Sequence, residues 1–133
     1  MSSLRISLRI YLPNGARLGP GKIGLLEAIE KRRSISAAAR DFDMSYRRAW
    51  LLIDELNHAF SELVVETYPG RSHGTGAKLT PFGERLVAQF RAVERRATKS
   101  AEGALDEILK ASNADFVPGE ATPSHRRTAG RGA

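Results

Sequence analysis

The sequence predicts a mainly helical chain with a small β wing and a long C-terminal helix. Three stretches of its 133 residues carry that expectation. Residues 34–60 read as two helices joined by a tight turn, and residues 63–80 as strand, glycine loop and strand. From Phe82 to Ile108, apolar or small residues recur every three or four positions.

Residues 4–12 alternate, with Leu4, Ile6, Leu8, Ile10 and Leu12 on one side and Arg5, Ser7, Arg9 and Tyr11 on the other. That pattern predicts a half-buried strand with a polar outer face. Pro13-Asn14-Gly15 ends it in a turn, Ala16-Arg17-Leu18 offers a short return, and Gly19-Pro20-Gly21 breaks the chain again. Residues 22–31 predict the first helix, with Ile23, Leu25, Leu26, Ala28 and Ile29 as its apolar stripe and Glu27, Glu30 and Lys31 outside. The Lys31-Arg32-Arg33 cluster at its end is open to two uses, as charge complementing the helix dipole or as a phosphate contact.

Ser36 is read as the cap of a short second helix through Ala37-Ala38-Ala39, whose small side chains let two helix backbones cross closely. Asp43-Met44-Ser45 interrupts the pattern, and Ser45 is placed to cap a third helix. The unit is a helix-turn-helix, whose second helix enters the DNA major groove N-terminus first. At about 100° per residue, Ala49, Leu52, Ile53, Leu56 and Phe60 share the inward face. Arg47 points almost opposite, near Leu51, Asp54 and His58, and Tyr46, Arg48 and Trp50 flank it. A merely solvated face would carry Glu, Lys or Gln there. An arginine can instead fork two hydrogen bonds onto guanine or clamp a phosphate. Ser36, Ser45, Tyr46, Arg47, Arg48 and Trp50 are therefore the candidate DNA-contacting residues of this unit, with Trp50 equally open to a core or dimer-contact role.

Residues 63–68 are β-branched and short, residues 69–77 are glycine-rich and polar, and Lys78-Leu79-Thr80 closes the segment. Directly after a helix-turn-helix, this is the wing of a winged-helix domain. Its glycines let backbone approach a phosphate or the minor groove, and Arg71, Ser72, His73 and Lys78 supply donors. It is not a nucleotide loop, because it lacks a Gly-Lys-Ser/Thr ending and no helix follows directly.

Thr80-Pro81 is a helix start, Thr as cap and Pro at the first position. The helix is expected to run unbroken to about Lys110, roughly 45 Å at ~1.5 Å per residue. Phe82, Leu86, Phe90, Val93, Ala97, Ala101, Ala104 and Ile108 are spaced 4, 4, 3, 4, 4, 3 and 4, an eleven-residue rhythm suited to a nearly straight seam. So long a stripe exceeds what a domain of this size can cover, which predicts a homodimer through this helix. Gly103 is a weak point in its distal third. The expected organisation is a winged helix-turn-helix over residues 1–80, a dimerisation helix over 81–110, and a disordered basic tail over 111–133 carrying Arg126, Arg127 and Arg131.

The formal net charge of +6 and a pI of about 10.2 favour polyanionic partners. No cysteine is present, which excludes disulfides, thiolate metal sites and cysteine catalysis. No apolar run is long enough to span a membrane, and the arginines of the N-terminal segment argue against a signal peptide, so a cytoplasmic protein is expected. His58, His73 and His125 are scattered, with no carboxylate pair at useful spacing, so neither an enzyme nor a metal site is expected.

Residues 4–110 resemble the amino-terminal DNA-binding domain of the molybdate-dependent transcriptional regulators, the ModE family. The blocks that carry the resemblance are Gly19-Pro-Gly-Lys22, Leu25-Leu-Glu-Ala-Ile29, Ser34-Ile-Ser-Ala-Ala-Ala39, Met44-Ser-Tyr-Arg-Arg-Ala-Trp50, Asp54-Glu-Leu-Asn57, Val64-Val-Glu-Thr67 and Leu79-Thr-Pro-Phe-Gly83. The Ser-Ile-Ser-Ala-Ala-Ala block is also similar, more distantly, to the helix-turn-helix of LysR-type regulators. The resemblance implies a winged helix, a dimer through the long helix, and a two-fold symmetric operator, and it assigns recognition to Ser45, Tyr46, Arg47, Arg48 and Trp50. Longer family members carry C-terminal molybdate-binding modules. None is expected after Lys110 here, so no cofactor or small-molecule effector is identified. The expected function is sequence-specific transcriptional regulation, with double-stranded DNA and a second copy of the chain as partners. The alternative is an interaction module that heterodimerises with a full-length regulator.

Overall fold

The computed structural model describes residues 4–69 and 75–119. Its elements in chain order are β1 (Ile10–Tyr11), β2 (Arg17–Leu18), α1 (Pro20–Arg32), α2 (Ile35–Asp41), α3 (Tyr46–Ala59), β3 (Val65–Pro69), β4 (Thr75–Leu79), α4 (Pro81–Ser100) and α5 (Glu102–Ala111). The strands form two antiparallel hairpins, β1–β2 and β3–β4. The five apolar positions expected of the first helix are all buried, and α1 packs against α2, β4 and α4. This is the mainly helical, winged helix-turn-helix architecture expected, with several boundaries moved.

The N-terminal segment keeps its alternation of half-buried and exposed side chains from Leu4 to Leu12, yet only Ile10–Tyr11 forms a ladder. A strand needs a partner, and the turn returns only Arg17–Leu18 before α1 begins. Pro20 does not interrupt the chain: it takes the first position of α1, where its missing N–H costs nothing.

The cap of α2 is Ser34, whose Oγ accepts the Ala37 N–H at 3.1 Å; Ser36 lies inside the helix and is exposed. Starting two residues earlier puts Ile35 on one buried face with Ala38 and Ala39, from which a cap at Ser36 would exclude it. Arg32 donates two bonds to the Asp41 carboxylate at 2.8 Å, fixing the end of α2 against α1 and holding the Asp41 carboxyl below its ordinary range. Asp43, in the turn, adopts left-handed backbone at φ 54°, a conformation Asp tolerates through its short polar side chain. Ser45 caps α3 as expected, accepting the Arg48 N–H.

The strands of the wing run further along the chain towards its tip than expected. Pro69 belongs to β3 and residues 75–77 to β4, with register Val65↔Leu79 through Pro69↔Thr75. Leu63 and Val64 precede the ladder because Val64 is held elsewhere. Asn57 Oδ1 accepts the N–H groups of Val64 (2.7 Å) and Val65 (3.0 Å), and its Nδ2 donates to the Val65 carbonyl at 3.1 Å. From the other side, Thr80 N–H donates to the Val64 carbonyl at 2.9 Å, and Thr80 Oγ donates to the Leu63 carbonyl at 2.6 Å. The same Oγ caps α4 by accepting the Gly83 N–H at 2.9 Å. The opposite edge of the wing meets the core where Ala77 N–H donates to the Arg33 carbonyl, beside a bridge between Ser34 and Gly76.

The expected unbroken C-terminal helix bends at Ala101, which leaves helical geometry at φ −101°, ψ 13°. Bonds from Ala101 N–H to Ala97 and from Leu105 N–H to Ala101 continue the helical pattern across it. Gly103 lowers helix propensity at this point, and no residue of α5 is buried to hold the axis straight. Phe90, expected in a dimer seam, is 2% exposed and belongs to the protomer's own core beside Val87. Phe82 and Leu86 are half-buried against that core, Phe82 with its ring 5.4 Å from Phe60. The first turns of α4 therefore complete the domain rather than leave it. Among the described residues, Val93, Ala97, Ala101 and Ile108 keep exposed or half-exposed surface.

Two substitutions test these joints. A Cβ at Gly83 would overlap the Val64 carbonyl oxygen in the backbone. Gly83→Ala is expected to destabilise the fold by about 1–3 kcal/mol in urea unfolding; an unchanged midpoint would mean α4 does not sit this close. Asn57→Ala should cost a similar ~1–3 kcal/mol by leaving backbone groups unpaired. It should also speed hydrogen exchange at the Val64 and Val65 amides above the change seen at Ile53.

Candidate nucleic-acid interface

Helix α3 buries Ala49, Ile53 and Leu56 and half-buries Leu52 and Phe60, which is the inward face expected. That burial fixes the rotation of α3 and turns its other side out. Tyr46 is 49% exposed and Trp50 44%, and Arg47 and Arg48 are exposed beside them. Trp50 is therefore not a core residue. The Arg47 and Arg48 side chains have no hydrogen bond or ion pair among the described residues. Tyr46, Arg47 and Trp50 line a small open depression of about 290 Å³ on this first turn.

The exposed face of α3 has two flanks. On one, Trp50, Ile53, Asp54 and Asn57 border a groove whose far wall is the start of the wing, Leu63 to Thr67. On the other, Arg48, Leu52 and Glu55 border a cleft whose far wall is the β1–β2 hairpin and the beginning of α1. Lys78 lies on β4 with its ammonium 6.0 Å from the Tyr68 ring centroid. The expected wing-tip donors Arg71, Ser72 and His73 lie outside the described residues, as do Arg126, Arg127 and Arg131. Ser45 contributes as a cap, while Ser36 sits on the exposed side of α2 and takes no part in capping. The structure thus brings Ser45, Tyr46, Arg47, Arg48 and Trp50 together at the start of α3.

Residues not singled out from the sequence complete the site. Asn57, which positions the wing, lies at the edge of the inward stripe next to Leu56. A polar amide there is the one signal that could have marked it. Arg9, Arg17 and Lys22 join Arg48 at the cleft only through tertiary folding. His58 is exposed and its Nδ1 lies 2.8 Å from the Asp54 carbonyl. No group of three or more His, Cys, Asp and Glu side chains that could hold a metal occurs among the described residues, nor is any described helix long and apolar enough to cross a membrane.

Comparison with known proteins agrees with this geometry. No family model matches the chain. Over 85 residues the sequence is 44% identical to the molybdenum-pterin-binding protein MopB of Rhodobacter capsulatus, covering 64% of this chain and 32% of that protein. Over an equal span and with the same coverage it is 36% identical to the DNA-binding transcriptional dual regulator ModE of Escherichia coli. The chain spans about a third of the length of these relatives. The crystal structure of a CbnR_DBD–DNA complex has a similar fold, with a TM-score of 0.51 at 19% identity over 66% of this chain and 95% of that one. The chain is thus a homologue of the ModE and MopB proteins over an amino-terminal part, carried on a winged helix-turn-helix fold.

Proposed function

We propose that this chain is a sequence-specific DNA-binding transcriptional regulator that works in the cytoplasm as a homodimer on a two-fold symmetric operator. One observation carries the reading: the first turn of α3 presents Tyr46, Arg47, Arg48 and Trp50 to solvent, with both guanidinium groups uncommitted among the described residues. Folding alone gives no reason to expose an indole and a phenol beside two arginines. A helix of this composition fits a major groove, where Arg47 reads a base edge while Arg48 and the wing residue Lys78 take phosphates. The relatives named as ModE regulators support the same assignment. The dimer reading draws on α5, which buries no residue and leaves Ile108 61% exposed, and on Val93, 41% exposed on α4.

Selection of bound duplexes from a random pool by the purified protein is expected to enrich a palindromic site, equally with and without molybdate. Absence of any enriched site would overturn the assignment. Arg47→Ala is expected to relax preference at one base pair per half-site by about 1–3 kcal/mol; a variant as tight and selective as the parent would remove Arg47 from base reading. Light scattering should give twice the 14.6 kDa of one chain, and Ile108→Asp should return the mass to one chain with the circular dichroism melt retained.

A further inference from the structure

The cleft on the far side of α3 from the wing has no role in the reading above. It encloses about 530 Å³ and is bordered by four cations, Arg9, Arg17, Lys22 and Arg48, against the single carboxylate of Glu55. Lys22 is already committed: its Nζ donates to the Arg17 carbonyl at 2.9 Å and lies 3.4 Å from Glu55. The three arginine side chains have no carboxylate or carbonyl partner among the described residues. Arg9 lies across Gly19, with its Nε 3.4 Å from where a Cβ would stand there. The hairpin that carries Arg17 is fastened to α3, because Asn14 Nδ2 donates to the Ala59 carbonyl at 3.0 Å. Uncompensated cations held along one cleft repel each other in the free protein, an arrangement that an anion relieves.

We propose that this cleft is a second phosphate-binding surface, seating a phosphodiester of the DNA backbone on the strand opposite the one met by the wing. The proposal rests on the reading of the chain as a DNA-binding protein. It draws on continuity, since Arg48 belongs both to the first turn of α3 and to the cleft. It also draws on placement. A helix in the major groove runs between two backbones about 12 Å apart, and α3 has the wing on one flank and the cleft on the other. Arg9 and Arg17 are positioning contacts in this role. They add affinity for any sequence and choose none.

The test measures binding of the selected duplex and a scrambled duplex by fluorescence anisotropy across a salt series. Parent protein, Arg9→Ala/Arg17→Ala and Arg9→Lys/Arg17→Lys are compared, each checked by its circular dichroism melt. The alanine pair is expected to weaken both duplexes by the same factor. It should also flatten the slope of log affinity against log salt by about 1 or more per protomer, at ~0.9 per phosphate released. The lysine pair should keep most of the slope, and the preferred sequence should not change in either variant. Should the alanine pair fail to fold, Arg9→Gln/Arg17→Gln reads the same slope. An unchanged slope in the alanine pair, with a parent that binds DNA, would overturn the cleft assignment and leave the regulator reading standing. An altered sequence preference would overturn it as well, by making these arginines base readers. A parent that binds neither duplex would overturn both.

Discussion

Asn57 Oδ1 accepts the N–H groups of Val64 and Val65, and through these bonds the wing takes its place beside the exposed turn of α3. The constraint is tight because the same short segment is held from the other side. Thr80 takes the carbonyls of Leu63 and Val64 while its hydroxyl caps α4. Three elements thus converge on one peptide: α3, the wing and α4. Val64 and Val65 are buried at this point, so each hydrogen bond is made where an unpaired group would be costly. The apolar core supplies the driving force for folding, and this polar junction fixes where the wing stands.

The positive charge of the chain is divided between two kinds of cation. Arg32 and Arg91 are internal ties: Arg32 grips Asp41, and Arg91 donates two bonds to Glu27, at 2.7 and 3.0 Å, and a third to Glu94. The bonds to Glu27, and then to Glu94, push the Arg91 pKa further up, so the guanidinium that links α1 and α4 stays charged. Arg9, Arg17, Arg47 and Arg48 form the other kind, with no carboxylate partner among the described residues, and they surround the start of α3. Acidic residues have been spent where orientation within the fold matters. They are sparse where the surface faces outward at the start of α3.

The parts of this arrangement that local chemistry decides were legible in the sequence. The inward stripe of α3, the Ser45 cap, the Thr80-Pro81 start of α4 and the existence of the wing each depend on residues a few positions apart. What was misread depends on distant partners. The cap of α2 falls on Ser34 rather than Ser36 because Ile35 must be buried as part of the helix, which the serines themselves do not reveal. The N-terminal strand shrinks to two residues because its partner is short, although its alternation survives in the burial. The spacing of Phe90 fits a seam with a partner chain, but α1 reaches that far along α4, where Glu27 meets Arg91, and Phe90 is buried in the protomer's own core. The cleft brings Arg48 to Arg9 and Arg17, which lie far from it in the chain, and left no sequence signal.

The bridge between Ser34 and Gly76 has a consequence for how the protein avoids sticking to itself. A two-stranded hairpin offers two open edges to any passing strand, the usual route to edge-to-edge aggregation. Here the β4 edge is occupied by the turn between α1 and α2, through Ser34 and the Arg33 carbonyl. The β3 edge begins with Val65, already engaged by Asn57, carries the charge of Glu66, and ends in Pro69, which has no N–H to offer. The wing is in this way a poor template for another wing.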